Sequence, residues 1–226
     1  MSNELINAEF SKRVVVKTDE LPWIPSPQVG VERRMLDRIG GEVARATSVV
    51  RYAPASYFPS HSHALGEEFL VLDGVFSDEH GDYPKGTYVR NPPGSSHTPH
   101  TAPGCVILVK LRQMRSDETD RVVVDTNTGH WVSDDVTGVV RIPLYSAVDG
   151  ETVAIEKLAP HTARSSYQVS GGEEIFMIDG DLADARNLYK PGDWIRSPAG
   201  SVQDWRTKGG AVYWVKRGHL PTRGLN

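Results

Sequence analysis

One cysteine, Cys105, is all the thiol this 226-residue chain carries. That excludes an internal disulfide and any zinc site built from several cysteines. The cysteine lies in "CVILVKL", a strand-like run where it reads as a small buried hydrophobe. No block of Lys and Arg occurs, and 25 basic against 29 acidic residues leave a net charge of −4. Neither nucleic acid nor an anionic membrane is therefore an expected partner. No apolar run approaches the ~20 residues of a membrane-crossing helix. The opening "MSNELINAEFSKRVVVKTDE" lacks the apolar core of a signal peptide. A reducing cytoplasm is the expected compartment. Helical periodicity is missing too, since no window keeps an apolar stripe beyond about two turns.

What the chain does have is short β-branched and aromatic runs: "RATSVVRY", "EFLVLDG", "GTYVRN", "CVILVKL", "VAIEKL", "EIFMIDG", "DWIRSP" and "AVYWVKR". Turn signals such as "EHGD", "PPGS", "SGG" and "PAG" separate them. The expected fold class is all-β, a sandwich or barrel of many short strands.

Comparing the chain with itself exposes a duplication. "GEEFLVLDG" at 66–74 returns as "GEEIFMIDG" at 172–180, and "KGTYVRNPPGS" at 85–95 returns as "PGDWIRSPAGS" at 191–201. The shift is 106 positions and holds without a gap from about Ala53 to Lys110. Upstream, "WIPSPQVGVERRML" resembles "WVSDDVTGVVRIPL" at a shift of 108. The expected organisation is an N-terminal arm or edge strand over 1–22, a first unit over 23–114, a linker over 115–128 and a second unit over 129–226.

The copies keep glycines, prolines and apolar strand positions, which determine the fold. They differ in their histidines. His61, His63 and His97 become Tyr167, Val169 and Gln203, while Glu67 keeps its counterpart Glu173. Joint loss is what ligands of one metal would undergo, since losing one removes the reason for the others. His61 and His63 are two apart, so on a strand both point to one face. Imidazole and carboxylate suit Zn, Fe, Ni or Mn. A turn at "NPPGSS" brings His97 back toward that face. The expected ligand set is His61, His63, Glu67 and His97, holding one divalent transition metal per chain, with zinc first and Fe, Ni or Mn also fitting. Glu68 points to the opposite face and reads as a solvated or supporting carboxylate. His100 reads as a rim histidine and His80 as a turn residue, whereas His130, His161 and His219 lack ligand-like spacing. Tyr52, Phe58, Phe76 and Tyr88 fit barrel lining and core packing equally. In the second copy, Tyr167, Glu173 and Gln203 are expected to form a metal-free polar cluster, with Arg164 and Arg196 as candidate charge partners.

These residues carry a resemblance to the cupins. The first cupin motif, G-x5-H-x-H-x3-4-E-x6-G, is matched by His61, His63, Glu67 and Gly74, with Ala55 in place of the leading glycine. The second, G-x5-P-x-G-x2-H-x3-N, is matched by Gly86, Pro92, Gly94 and His97, with Thr101 in place of the asparagine. The stretch from His61 to His100 more narrowly resembles the cupin domain of ChrR-type anti-sigma factors. The resemblance implies a double-stranded β-helix, or jelly-roll barrel, in two tandem copies, and a zinc-binding module of the kind that serves oxidative-stress responses. It does not imply sigma-factor binding, because the first 22 residues and the lone cysteine leave no room for the zinc-bearing anti-sigma domain.

Two classes of function follow. One is a metal-binding regulatory, stress-response or sensor bicupin without turnover, taking a small-molecule ligand. The other is a mononuclear non-haem metal dioxygenase or related enzyme acting on a small diketone or aryl ketone, which requires an open metal position. By analogy with cupins that pair through edge strands, a homodimer is expected, with "SKRVVVKT" as the candidate edge.

Overall fold

A computed structural model describes residues 4–41 and 43–221. Among the described residues the chain is built from β-strands, with one short 3-10 turn at Thr18–Glu20. It divides into two compact units, Met1–Ala8 with Leu21–Thr128, and Glu9–Glu20 with Gly129–Asn226. The all-β expectation and the duplication are both present.

In the first unit the main sheet runs in the order Leu5–Ile6, Val31–Gly40, Ala44–Tyr52, Cys105–Leu111, Glu67–Asp78, Thr87–Asn91 and Val122–Asp125. Alternation along these strands sends Phe69, Val71, Ile107 and Val109 into one core, where the rings of Phe69 and Phe76 meet at a tilt with centroids 4.6 Å apart. A separate two-stranded ribbon pairs His61–Ser62 with Ser96–His97. The stretch 115–128, expected as a linker, contributes the edge strand Val122–Asp125, which pairs with Thr87–Asn91.

The second unit repeats this plan. Its larger sheet runs Val132–Ser133, Val139–Ser146, Thr152–Leu158, Ala211–Arg217, Glu173–Gly180, Asp193–Ser197 and Val14–Lys17. A four-stranded sheet of Ala163–Val169, Ser201–Arg206, Leu182–Ala183 and Leu188–Tyr189 completes it. Tyr189 meets Trp205 edge-on in its core, at 5.7 Å. Val14–Lys17, from the N-terminal arm, is the edge strand of this unit and pairs with Asp193–Ser197.

The "DG" repeated in each central strand has a physical reason. Gly74 and Gly180 have φ of 71° and 75°, and a Cβ on either would lie 2.0 Å from the carbonyl oxygen of Gly104 or Gly210. Only glycine fits. Ala55, in place of the leading motif glycine, is held at φ 58°, as is His161 at φ 61° in the same place of the second copy.

Candidate metal centre

His61 and His97 stand directly opposite one another in the two-stranded ribbon. His63 follows on the same face, its carbonyl accepting from the amides of Gly66 and Gly94. Glu67 opens the long strand Glu67–Asp78, opposite Asn91 on one side and Leu111 on the other. Each of the four residues offers one donor atom, and these atoms lie within 4.8 Å of one another. Two donors each about 2.1 Å from one ion are at most about 4.2 Å apart, so a small contraction closes the four around a single cation. The three imidazole rings meet with centroids 4.7 to 5.0 Å apart. Glu67 Oε2 lies 3.6 Å from His63 Nε2 and 3.4 Å from His97 Nε2.

Nε2 of His63 and of His97 are buried and, among the described residues, have no hydrogen-bond partner, a condition native interiors rarely tolerate without an ion or water. The second nitrogen of two of the rings is engaged. His97 Nδ1 lies 3.2 Å from Asp78 Oδ2, and His61 Nδ1 lies 2.9 Å from the Pro59 carbonyl oxygen. Such partners fix ring orientation and direct Nε2 toward a metal. Asn91 Nδ2 donates to Glu67 Oε2 at 3.2 Å.

Burial, aided by the neighbouring His97 and His61 and opposed by Glu67, holds the His63 imidazolium below its usual range. A neutral imidazole is what a metal requires. At His97 burial acts in the same direction, but the hydrogen bond it donates to Asp78 and the charges of Glu67, Asp78 and Glu79 outweigh it and raise the pKa. Burial would raise Asp78, yet hydrogen bonds from His97, the His80 amide and Tyr83 keep its carboxyl below the usual range.

The family is settled by comparison. The ChrR cupin-like domain matches residues 11–115 and matches again over 119–221. The chain belongs to the ChrR cupin-like domain family, in duplicate. Its solved structural neighbours are cupin proteins too. A candidate dioxygenase from Nostoc punctiforme PCC 73102 is 16% identical, with a TM-score of 0.75 over 94% of this chain and 85% of that one. The pirin YhhW from Escherichia coli, solved with nickel(II), is 10% identical, with a TM-score of 0.68 over 94% of this chain and 100% of that one. An oxalate decarboxylase from Lactobacillus farciminis in complex with formate is 10% identical, with a TM-score of 0.63 over 91% and 86%. These likenesses establish the fold. No curated protein matches the chain.

The second cupin copy fills the equivalent place with a side-chain cation. Arg217 Nε donates to Glu173 at 2.7 Å, and its Nη1 and Nη2 donate to Glu156 at 2.6 and 3.0 Å. Arg164 also reaches Glu156, at 3.1 Å. The Tyr167 hydroxyl donates to Glu173 at 2.8 Å, and Trp205 Nε1 at 3.3 Å. Two arginines face two glutamates here, and Arg164 also lies 3.8 Å from Asp134 Oδ2. The expected cluster is met in part, Tyr167 donating to Glu173 as expected. Arg164 joins the cluster through Glu156, Arg196 lies over the ring of Phe10 at 4.3 Å, and Gln203 donates to Ser201 at 3.0 Å. At the 106-residue shift, Glu156, Arg164 and Arg217 replace Val50, Phe58 and Leu111. Three apolar side chains of the first copy are thus charged in the second.

In the first copy those apolar residues border an open cavity of about 430 Å³, lined also by His61, His63, Glu67, Tyr52, Arg33, Arg38 and Arg112. Glu68, on the opposite face from Glu67, is buried rather than solvated, accepting from Tyr88 at 2.6 Å and from Arg90 at 2.8 Å. His100 is exposed and outside the cluster, bridging to Ser77 through its backbone. His80 is an exposed turn residue, and His219 pairs with Glu174 at 3.1 Å. Asp78 and Asn91 are the supporting residues that sequence reasoning passes over. Asp78 did carry a signal, because Asp78 and Tyr83 recur as Asp184 and Tyr189. Both tyrosines donate to their aspartates, at 2.9 Å in each copy. Cys105 lies outside the four-residue cluster, and burial pushes its thiol up to about 12.

Proposed function

We propose that this bicupin binds one divalent transition metal per chain through His61, His63, Glu67 and His97, and that a small organic molecule binds beside it. The observation that carries the reading is the cavity of about 430 Å³ that has His61, His63 and Glu67 in its wall. A structural zinc site is closed by its protein ligands, whereas a working site leaves a position open toward substrate. The reading this favours is a mononuclear metal enzyme of the oxygenase type acting on a small organic substrate. A divalent ion there supplies Lewis acidity or redox chemistry according to its identity. The chain's own residues divide the remaining work. Asp78 and Pro59 orient His97 and His61, Asn91 holds Glu67, and Phe58 shields the edge of His61 at a centroid distance of 5.0 Å.

The ChrR cupin-like family favours a second reading, in which the bound molecule is sensed rather than turned over. Metal identity separates the two readings. Elemental analysis of the purified protein, followed by oxygen uptake with β-diketone or aryl-ketone substrates, is the test. Iron with substrate-dependent uptake supports the enzyme. Zinc with ligand binding but no turnover supports the sensor and contradicts the enzyme.

A further inference from the structure

The cavity of the first cupin has an uneven charge. Among its lining residues Arg33, Arg38 and Arg112 are cationic, and Glu67, already in the histidine cluster, is the acid. Arg38 is committed to the fold, donating to the carbonyls of Gly40 and Gly41. Arg112 is different. It is half-buried, and its side chain makes no hydrogen bond or ion pair among the described residues.

Its backbone is also out of place. Arg112 has φ 58°, a left-handed conformation that suits glycine. The equivalent residue of the second copy is Gly218, at φ 80°. Both make the same backbone bond, Arg112 to the carbonyl of Gly66 and Gly218 to that of Gly172, each at 3.0 Å. The backbone therefore asks for glycine in both copies, and the first copy bears an arginine despite the strain. Strain of this kind, held at a cavity wall, points to a use for the side chain. The Tyr52 hydroxyl, on the same cavity, likewise has no hydrogen-bond partner among the described residues. The same wall carries the apolar side chains of Val50, Ile107, Val109 and Leu111.

We propose that this cavity binds a small carboxylate with an apolar body, its anionic end paired with the Arg112 guanidinium and its body lying against Val50, Ile107 and Leu111. A planar guanidinium matches a carboxylate through two parallel hydrogen bonds. Tyr52 supplies a further donor. The inference names the ligand class of the site proposed above, and rests on that reading for the ligand's place beside a metal.

The test uses the full-length protein with its metal content measured. Benzoate and hexanoate, their neutral counterparts benzyl alcohol and hexanol, and inorganic phosphate are titrated by calorimetry into wild type and Arg112→Gly. Glycine suits the backbone here, so the variant removes the guanidinium without a folding penalty, which thermal unfolding verifies. The carboxylates bind wild type at least about tenfold more tightly than the alcohols or phosphate, and Arg112→Gly loses about tenfold or more for the carboxylates alone, with metal content unchanged. Equal carboxylate binding by Arg112→Gly overturns the proposal. So do alcohols that bind as well as the acids, or phosphate that binds as tightly as benzoate. The two readings fail separately. A metal-free chain whose carboxylate binding depends on Arg112 defeats only the metal centre, and a metal-loaded chain indifferent to carboxylates defeats only this inference.

Discussion

Arg217 holds Glu173 at 2.7 Å in the second cupin, where the equivalent Glu67 of the first cupin faces three histidines. A guanidinium has taken the neutralising role that a metal would have there. Removing one member of a buried charge cluster leaves the others uncompensated, at a cost of about 3–5 kcal/mol. Arg217→Leu should therefore destabilise the second unit by that order in urea unfolding. Adding Glu156→Val, the first copy's residue at that place, removes one charge of each sign and should recover most of the loss. A double variant no more stable than the single would show that charge balance is not what holds the cluster.

Acid should attack the same cluster. Burial alone would raise the Glu156 pKa, but the charge and hydrogen bond of Arg217, with Arg164 and Tyr213, bring it from the ordinary 4.5 down to about 2. A depressed carboxylate stabilises the fold above its unfolded pKa. Its contribution is complete above about pH 4.5 and is lost as the pH falls toward 2, amounting to about 3 kcal/mol. Trp194, Trp205 and Trp214 are buried in this unit, so tryptophan fluorescence follows it. The Arg217→Leu/Glu156→Val variant should lose less stability over that window than wild type. An identical acid limb would assign the acid sensitivity to other groups.

Asp78 tests how far the supporting residues govern the metal. Its Oδ2 lies 3.2 Å from His97 Nδ1, while Oδ1 accepts from Tyr83 at 2.9 Å. Asp78→Asn keeps the shape but loses the charge that orients His97. Metal affinity should fall about 10- to 100-fold, the usual effect of such a loss, as read by competition with a chromophoric chelator. Unchanged affinity would show that ring packing alone places His97.

Much of this was legible in the sequence. His61 and His63 share a face through strand periodicity, and His97 stands out because it vanishes with them in the second copy. The supporting residues were harder to read. Asn91 is replaced by Ser197 and lies 24 positions from Glu67, so neither the repeat nor spacing marks it. Arg217 was hidden for a different reason. Asking what each copy keeps, or what the second has lost, cannot find a cation that the second has gained at an apolar position, 44 residues from Glu173. The joint change of Val50, Phe58 and Leu111 to Glu156, Arg164 and Arg217 was the available signal. Glu68 misled because a carboxylate facing away from the cluster looks solvated until Arg90 and Tyr88 are seen to enclose it.

Loss of a ligand should be felt in stability as well as in metal content. The site joins the ribbon residues His61 and His97 to Glu67 of the main sheet, and the folded state alone assembles it. At a free metal concentration of 100 times Kd, binding adds about 2.7 kcal/mol. His61→Ala and His97→Ala should each forfeit that stabilisation in metal-containing buffer, whereas His100→Ala, at an exposed position outside the cluster, should not. Equal loss in His100→Ala would mean the ligand set is wrong.

Metal stoichiometry puts the central claim to its most direct test. Elemental analysis of the protein, expressed with zinc, iron, nickel and manganese available and then gel-filtered, should give one metal per chain. The His61→Ala/His97→Ala double variant should give none, and Glu173→Gln in the second copy should still give one. Two metals per chain, or a full equivalent retained by the double variant, would contradict the account.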